Sequence, residues 1–207
     1  MDKIFISYFH AGDQKYKNQL SNFIERHNIA IDRSVDIGEI DEDLETETIY
    51  RKIREEHLAD VDVTIVLVSN HTKCRKHIDR EIASSMRITG SAQKRSGILV
   101  IWLPDYVRNN FNRVPNVRDN GYIISNFNEF GHIFYSQDTV GPRIARNLKN
   151  GYIAEIKWES LSLNPRVLSS KIQEAKEKAR NVDPNLSDPY RKQNSENCAE
   201  KLSQGRW

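Results

Sequence analysis

Along the first half of the chain, short apolar runs alternate with stripes of apolar residues at helical spacing. Lys3–Ser7 (KIFIS) is the first run, closed by a polar loop from Tyr8 to Gly12. Asp13 stands where an N-cap would open a helix, and Tyr16, Leu20, Phe23, Ile24 and His27 follow at helical spacing. Ile29–Ile31 reads as a second strand. The acidic stretch after it, DRSVDIGEIDEDLE, is too polar for a core, and Thr46–Leu58 returns to helical spacing. Val63–Val68 (VTIVLV) is apolar on both faces save Thr64, as a central parallel strand covered from two sides should be. Arg75–Arg87 reads as a helix with Ile78, Ile82, Ser85 and Met86 inward, and Ile98–Leu103 (ILVIWL) as a buried strand stopped by Pro104. Strand and helix in alternation predict βαβ units around a parallel sheet.

The second half gives fewer signals. Asp105–Asp138 is loop-rich, with one short strand candidate at Tyr122–Ile124. Pro142–Leu148 fits a short helix, and YIAEIKW after Gly151 alternates as a strand does. Asn164 and Pro165 make an N-cap and N1 pair, opening a helix through Leu168, Ile172, Ala175 and Ala179. The pattern divides the chain into an α/β domain over residues 1–158, a helical extension over 159–181 and a polar tail over 182–207. That tail has few apolar residues and is expected to be mobile or draped on the surface.

Composition narrows the class. At 207 residues the chain can bury a full α/β core, and no apolar run approaches the roughly 18 residues of a membrane span. The start, MDKIFISYF, reads as a first strand rather than a signal segment. Two cysteines give no disulfide framework of the secreted kind, so a cytoplasmic setting is expected. The net charge is +2 with acids and bases intermixed, which is not the footprint of a nucleic-acid binder.

In an open parallel sheet, ligands bind at the carboxyl ends of the strands. Ser7–Asp13, Asp32–Ile40, Ser69–His77 and the loop after Leu103 should therefore line one cleft. No G-x-G-x-x-G follows the first strand, and no G-x-x-x-x-G-K-[ST] occurs, which argues against redox dinucleotide binding and P-loop chemistry. VTIVLVSN lacks a phosphoacceptor Asp, which argues against a phosphorelay receiver.

What remains is KIFISYFHAGD, DRSVDIGEIDEDLETETIYRKIREEHL and VTIVLVSNHTKCRKHIDREI. Together these resemble the bacterial TIR-like domains of the Thoeris anti-phage signalling family, over roughly residues 1–103. PRIARNLKNGYIAEIKW, followed by a helix, is similar to the C-terminal part of one branch. The resemblance implies a flavodoxin-like, TIR-like three-layer fold with a central parallel sheet. It also implies that Glu81, opening a short helix after the third strand, is the catalytic carboxylate for NAD cleavage. Many relatives carry aromatic residues four and one positions before that Glu; this chain has His77 and Arg80. NAD is then a substrate, with no resident cofactor. The product is an ADP-ribose-derived signal, cyclic or conjugated, received by a separate effector protein. TIR enzymes often build a site from two protomers, so a homo-oligomer is also within the implied range.

The chemistry is coherent on physical grounds. Nicotinamide leaves as a neutral ring from a cationic one, so no general acid is needed. The barrier lies in building positive charge on the ribose, which one placed carboxylate stabilises. Glu81 precedes the core-facing Ile82 and so occupies a helix flank, where it either points to the cleft or is an ordinary exposed helical Glu. Ser7, at the end of the first strand, stands at the same cleft edge. Phe9 and His10 either pack on the base or ribose or simply fill the loop. Asp32, Ser34 and Asp36 either bind hydroxyls or cap the next segment. Asn70 and His71 end the third strand at the cleft edge, and His77 is a further candidate contact. The KCRK cluster either meets a pyrophosphate or is a solvated face. His71, Cys74 and His77 combine metal-ligand types, but a fourth partner is wanting and Lys73, Arg75 and Lys76 repel a cation, so no metal is expected. Two other classes compete with the NAD-consuming enzyme: a non-catalytic TIR-type assembly module and a nucleoside deoxyribosyltransferase-like enzyme.

Overall fold

A computed structural model describes residues 1–34, 58–88, 94–110, 123–126, 132–161, 164–191 and 194. β1 (Lys3–Ser7) leads into α1 (His10–Arg26), followed by β2 (Ile31–Asp32) and β3 (Val63–Val68). After a 3-10 turn at Thr72–Cys74 come α2 (Lys76–Ser85), β4 (Gly97–Trp102) and α3 (Pro104–Asn110). Next are β5 (Ile123–Asn126), β6 (His132–Tyr135), α4 (Gln137–Val140) and α5 (Pro142–Lys149). The last elements are β7 (Ile153–Lys157), α6 (Trp158–Leu161) and α7 (Pro165–Asn181). Among the described residues β2, β1, β3, β4 and β7 lie side by side in that order, all parallel. This is the expected flavodoxin-like topology, with the winding reversing between β1 and β3.

Alternation along the strands sorts the core into two layers. Ile65 and Leu67 of β3 join Ile4, Ile6, Leu99 and Ile101 against Leu20 and Ile24 of α1 and Leu168, Ile172 and Ala175 of α7. Val66 and Val68 turn the other way with Val100 and Trp102, toward Ile78 and Ile82 of α2. Burying a side chain of this size contributes roughly 1.5–3 kcal/mol relative to leaving it exposed, so each helical layer is needed to cover its face. Thr64, the polar residue of β3, meets Ser85 Oγ at 2.7 Å, and that hydroxyl also donates to the Glu81 carbonyl at 2.9 Å. The buried hydroxyls are thereby satisfied, and α2 is tied to the sheet.

Several elements differ from the sequence expectation. The N-cap of α1 is Phe9 rather than Asp13, and the Asp13 N–H donates to the Phe9 carbonyl at 2.8 Å. The second strand is Ile31–Asp32, two residues long. Pro104 opens α3, where its missing N–H is harmless. HIFY (β6) was not foreseen; it pairs antiparallel with β5, apart from the main sheet. The helix expected over Thr46–Leu58 lies outside the described residues except for buried Leu58.

α7 starts where the sequence places it, with Asn164 Oδ1 accepting from the Arg166 N–H at 2.9 Å and Pro165 at N1. Rather than an appendage to residues 1–158, it is a wall of the same core. It lies so close to β4 that a Cβ on Gly97 would stand 2.4 Å from the Ala175 carbonyl oxygen. Residues 183–191 lie along α5. The Asn185 N–H donates to Asn147 Oδ1 at 2.7 Å, Asn147 Nδ2 returns a bond to the Asn185 carbonyl at 3.0 Å, and Arg146 pairs with buried Asp188 at 2.8 Å. No helix among the described residues is long and apolar enough to cross a membrane.

Candidate active site

β1 and β3 are neighbours in register, with Ser7 beside Val66. α2 packs on the Val66 and Val68 face through Ile78 and Ile82. That anchoring brings Glu81 to the carboxyl end of β1, where Ser7 Oγ donates to Glu81 Oε2 at 2.6 Å. The carboxyl is buried, with 6% of the residue exposed, and so is not the exposed flank group that helix periodicity allowed. Burial pushes it up to about 7, while the Ser7 hydrogen bond favours the charged form. Glu81 therefore changes protonation near neutrality.

One turn earlier on α2, His77 Nε2 meets the Tyr8 carbonyl at 3.1 Å. The His10 ring stacks on Tyr8, centroids 4.4 Å apart and 6° from parallel, and meets His77 edge-on at 5.3 Å. Burial lowers the His77 pKa against the pull of the Tyr8 carbonyl, and Arg75 and Lys76 lower it further. This imidazole is neutral at pH 7. Phe9 carries the Arg75 guanidinium 4.0 Å above its ring and has the His71 ring at 5.2 Å. His71 is also held below its ordinary value by burial and by Arg75, with Asp105 opposing. Asn70 is committed to α3: its N–H and Nδ2 donate to Asp105 Oδ2 at 3.3 and 3.2 Å.

Asp13, in the segment that the sequence places along the same cleft, stands in the first turn of α1. It is buried at 5% exposure, and burial pushes it up to about 6, with a Ser69 hydrogen bond opposing and Asp105 adding. Asp13 Oδ2 and Asp105 Oδ1 are buried with no hydrogen-bond partner among the described residues. The signal for Asp13 was present in the spacing. Asp13, Lys17, Leu20 and Ile24 form the buried stripe of α1, so running the helical period back from Leu20 reaches Asp13.

Asp32 and Ser34 are occupied by the fold. Asp32 Oδ2 accepts from Ser21 Oγ at 2.6 Å, and its Oδ1 accepts from the Ser34 N–H at 2.8 Å and from the Ser34 hydroxyl. Ser34 Oγ in turn accepts the Ile6 N–H at 2.8 Å, extending the β1–β2 ladder by a side chain. Asp36 lies outside the described residues. Among the described residues no group of three His, Cys, Asp or Glu side chains is placed to hold a metal ion.

Ser7, His77 and Glu81 thus converge with the Tyr8–His10 rings beside the topological switch point, with Phe9, Asn70 and His71 at the same ends of β1 and β3. One buried carboxyl, neutral imidazoles and aromatic rings can stabilise a developing positive charge without supplying a general acid. A family model described as Thoeris protein ThsB, TIR-like domain, matches residues 5–109, a span that includes Ser7, His77 and Glu81. No curated protein matches the chain.

Proposed function

The chain belongs to the Thoeris ThsB TIR-like domain family, and from that premise we propose that it cleaves NAD at the nicotinamide–ribose bond, with Glu81 as the catalytic carboxylate. It is a TIR-like module of an anti-phage defence system. The observation that carries the enzymatic reading is the Glu81 carboxyl, buried at the carboxyl end of β1 and held by Ser7 at 2.6 Å. When the C1′–N1 bond breaks, its electron pair neutralises the departing pyridinium and the ribose becomes cationic. Ionised Glu81 faces that charge in a site of low dielectric, where the attraction is stronger than in water. Ser7 favours the ionised carboxyl, and the neutral imidazole of His77 adds no competing positive charge. The released ribosyl group forms an ADP-ribose-derived signal, cyclic or conjugated, which a separate effector receives in the cytoplasm. NAD is the substrate, and association of two copies is part of this reading.

A non-catalytic assembly module would use Glu81 only to bind Ser7. The two readings separate in nucleotide extracts from phage-infected cells expressing wild type or Glu81→Ala. Mass spectrometry is expected to find an ADP-ribose-derived species that vanishes in the variant. Its persistence would reject the enzymatic reading.

A further inference from the structure

α2 presents Glu81, yet the local sequence does little to hold its first turn. Its N-cap residue, Arg75, supplies no side-chain cap. The acceptor comes from 118 residues away, where Asn194 Oδ1 receives the Lys76 N–H at 2.9 Å. Asp79, in the same turn, accepts from Arg143 Nε at 2.9 Å, Arg143 Nη2 at 3.4 Å and the Arg191 N–H at 2.9 Å. Arg80 Nε donates to the Arg191 carbonyl at 3.4 Å. Arg143 is itself only 1% exposed, and its Nη2 also donates to the carbonyls of Asp188 and Pro189, each at 3.1 Å.

These contacts give α2 two distinct partners. Lys76, Asp79 and Arg80 engage the returning C-terminal segment, while His77 and Glu81 engage Tyr8 and Ser7 at the strand end. Helix N-terminal amides need acceptors from outside the helix. A buried guanidinium shared between a carboxylate and two carbonyls is a directional, rigid link.

We infer that Arg143, Asp79 and Asn194 are positioning residues for the reaction: through the strap of residues 183–191 and Asn194 they fix the first turn of α2 and hold Glu81 against Ser7. The inference rests on the reading of Glu81 as the catalytic group. A reacting group must be held to within about half an ångström of its working position, so a loosened α2 lowers turnover more than substrate affinity.

The test uses the full chain with Asn194→Ala, Asn194→Asp and Arg143→Lys, measuring NAD turnover and amide hydrogen exchange over residues 76–82. Asn194→Ala and Arg143→Lys are expected to speed exchange there about tenfold and to lower kcat about fivefold, with KM within about twofold. Asn194→Asp keeps an acceptor oxygen and should restore both. Asn194 is exposed, so the alanine variant leaves the fold intact even if Arg143→Lys does not. Unchanged exchange over 76–82 in Asn194→Ala, or activity that falls only with the folded fraction, overturns the inference. Should extracts of infected cells hold no Glu81-dependent ADP-ribose-derived species, the function proposed for Glu81 falls, and the exchange measurement alone decides the strap. Faster exchange confined to α2 then upholds its hold on that helix, and no change rejects it.

Discussion

Ser7 and Glu81 are 74 positions apart in the chain and share a buried hydrogen bond of 2.6 Å. The bond places a carboxyl with a folded-state value of about 7, against 4.5 for the free group, at the end of the first strand. Because the folded value is the higher one, folding takes up a proton. The stabilisation from protonated Glu81 is present below about 4.5 and is lost as pH rises through about 7. Glu81→Gln removes that dependence. Urea melts at pH 5 and pH 8 should show the variant gaining on wild type as pH rises, by on the order of 1–3 kcal/mol. A stability difference that does not change with pH would mean that the carboxyl is not held protonated by burial.

Catalysis needs the opposite protonation state. Turnover of NAD should rise with pH through about 7 as Glu81 ionises. Ser7→Ala removes the donor that favours the charged form, so the midpoint should move up by about one pH unit. The rate at pH 7 then falls several-fold, with partial recovery by pH 9. A pH–rate profile identical to wild type would detach Ser7 from the chemistry.

Asp32 was a candidate for binding substrate hydroxyls, but Ser21 and Ser34 take up both its oxygens. Asp32→Ala should cost about 1–3 kcal/mol of stability, because three half-buried donors (Ser21 Oγ and the Ser34 N–H and hydroxyl) lose their acceptor and Ser34 loses its hold on the Ile6 amide. The KM for NAD should stay within about twofold of wild type. A several-fold rise in KM with an unchanged melt would return Asp32 to the substrate.

Gly97 is required by packing rather than by backbone conformation. A methyl group there would meet the Ala175 carbonyl oxygen at 2.4 Å and the Lys176 nitrogen at 2.9 Å, both backbone atoms that cannot swing aside. Gly97→Ala should force α7 off β4 and cost about 2 kcal/mol or more, lowering the thermal melt by several degrees. An unshifted melt would show that α7 docks more loosely than its contacts indicate.

How far these features could be read in advance depended on where their causes lie. β3 and β4 were legible because they are apolar on both faces, and α2 because Ile78, Ile82 and Met86 keep one period. The position of Glu81 followed from its place beside Ile82. Its burial did not, since that depends on Ser7, a contact between residues far apart in sequence. Two-residue β2 and four-residue β6 are too short for periodicity to stand out. The strap was harder still. DPNLSDPYR reads as solvated because the groups that hold it in place include the backbone carbonyls of Asn185, Asp188, Pro189 and Arg191, which leave no mark on residue type.

The family match ends at residue 109, yet β7 and α7, which lie beyond it, supply Ala154, Ile156, Leu168, Ile172 and Ala175 to the layer that covers Leu99 and Ile101. A fragment cut at that boundary would expose one flank of the sheet to water and lack β4's outer neighbour. The span matched by the family model is thus smaller than the packed core. A shortened form used for crystallisation must keep α7 through Asn181, and one used for assay must keep the chain through Asn194, whose side chain reaches the first turn of α2.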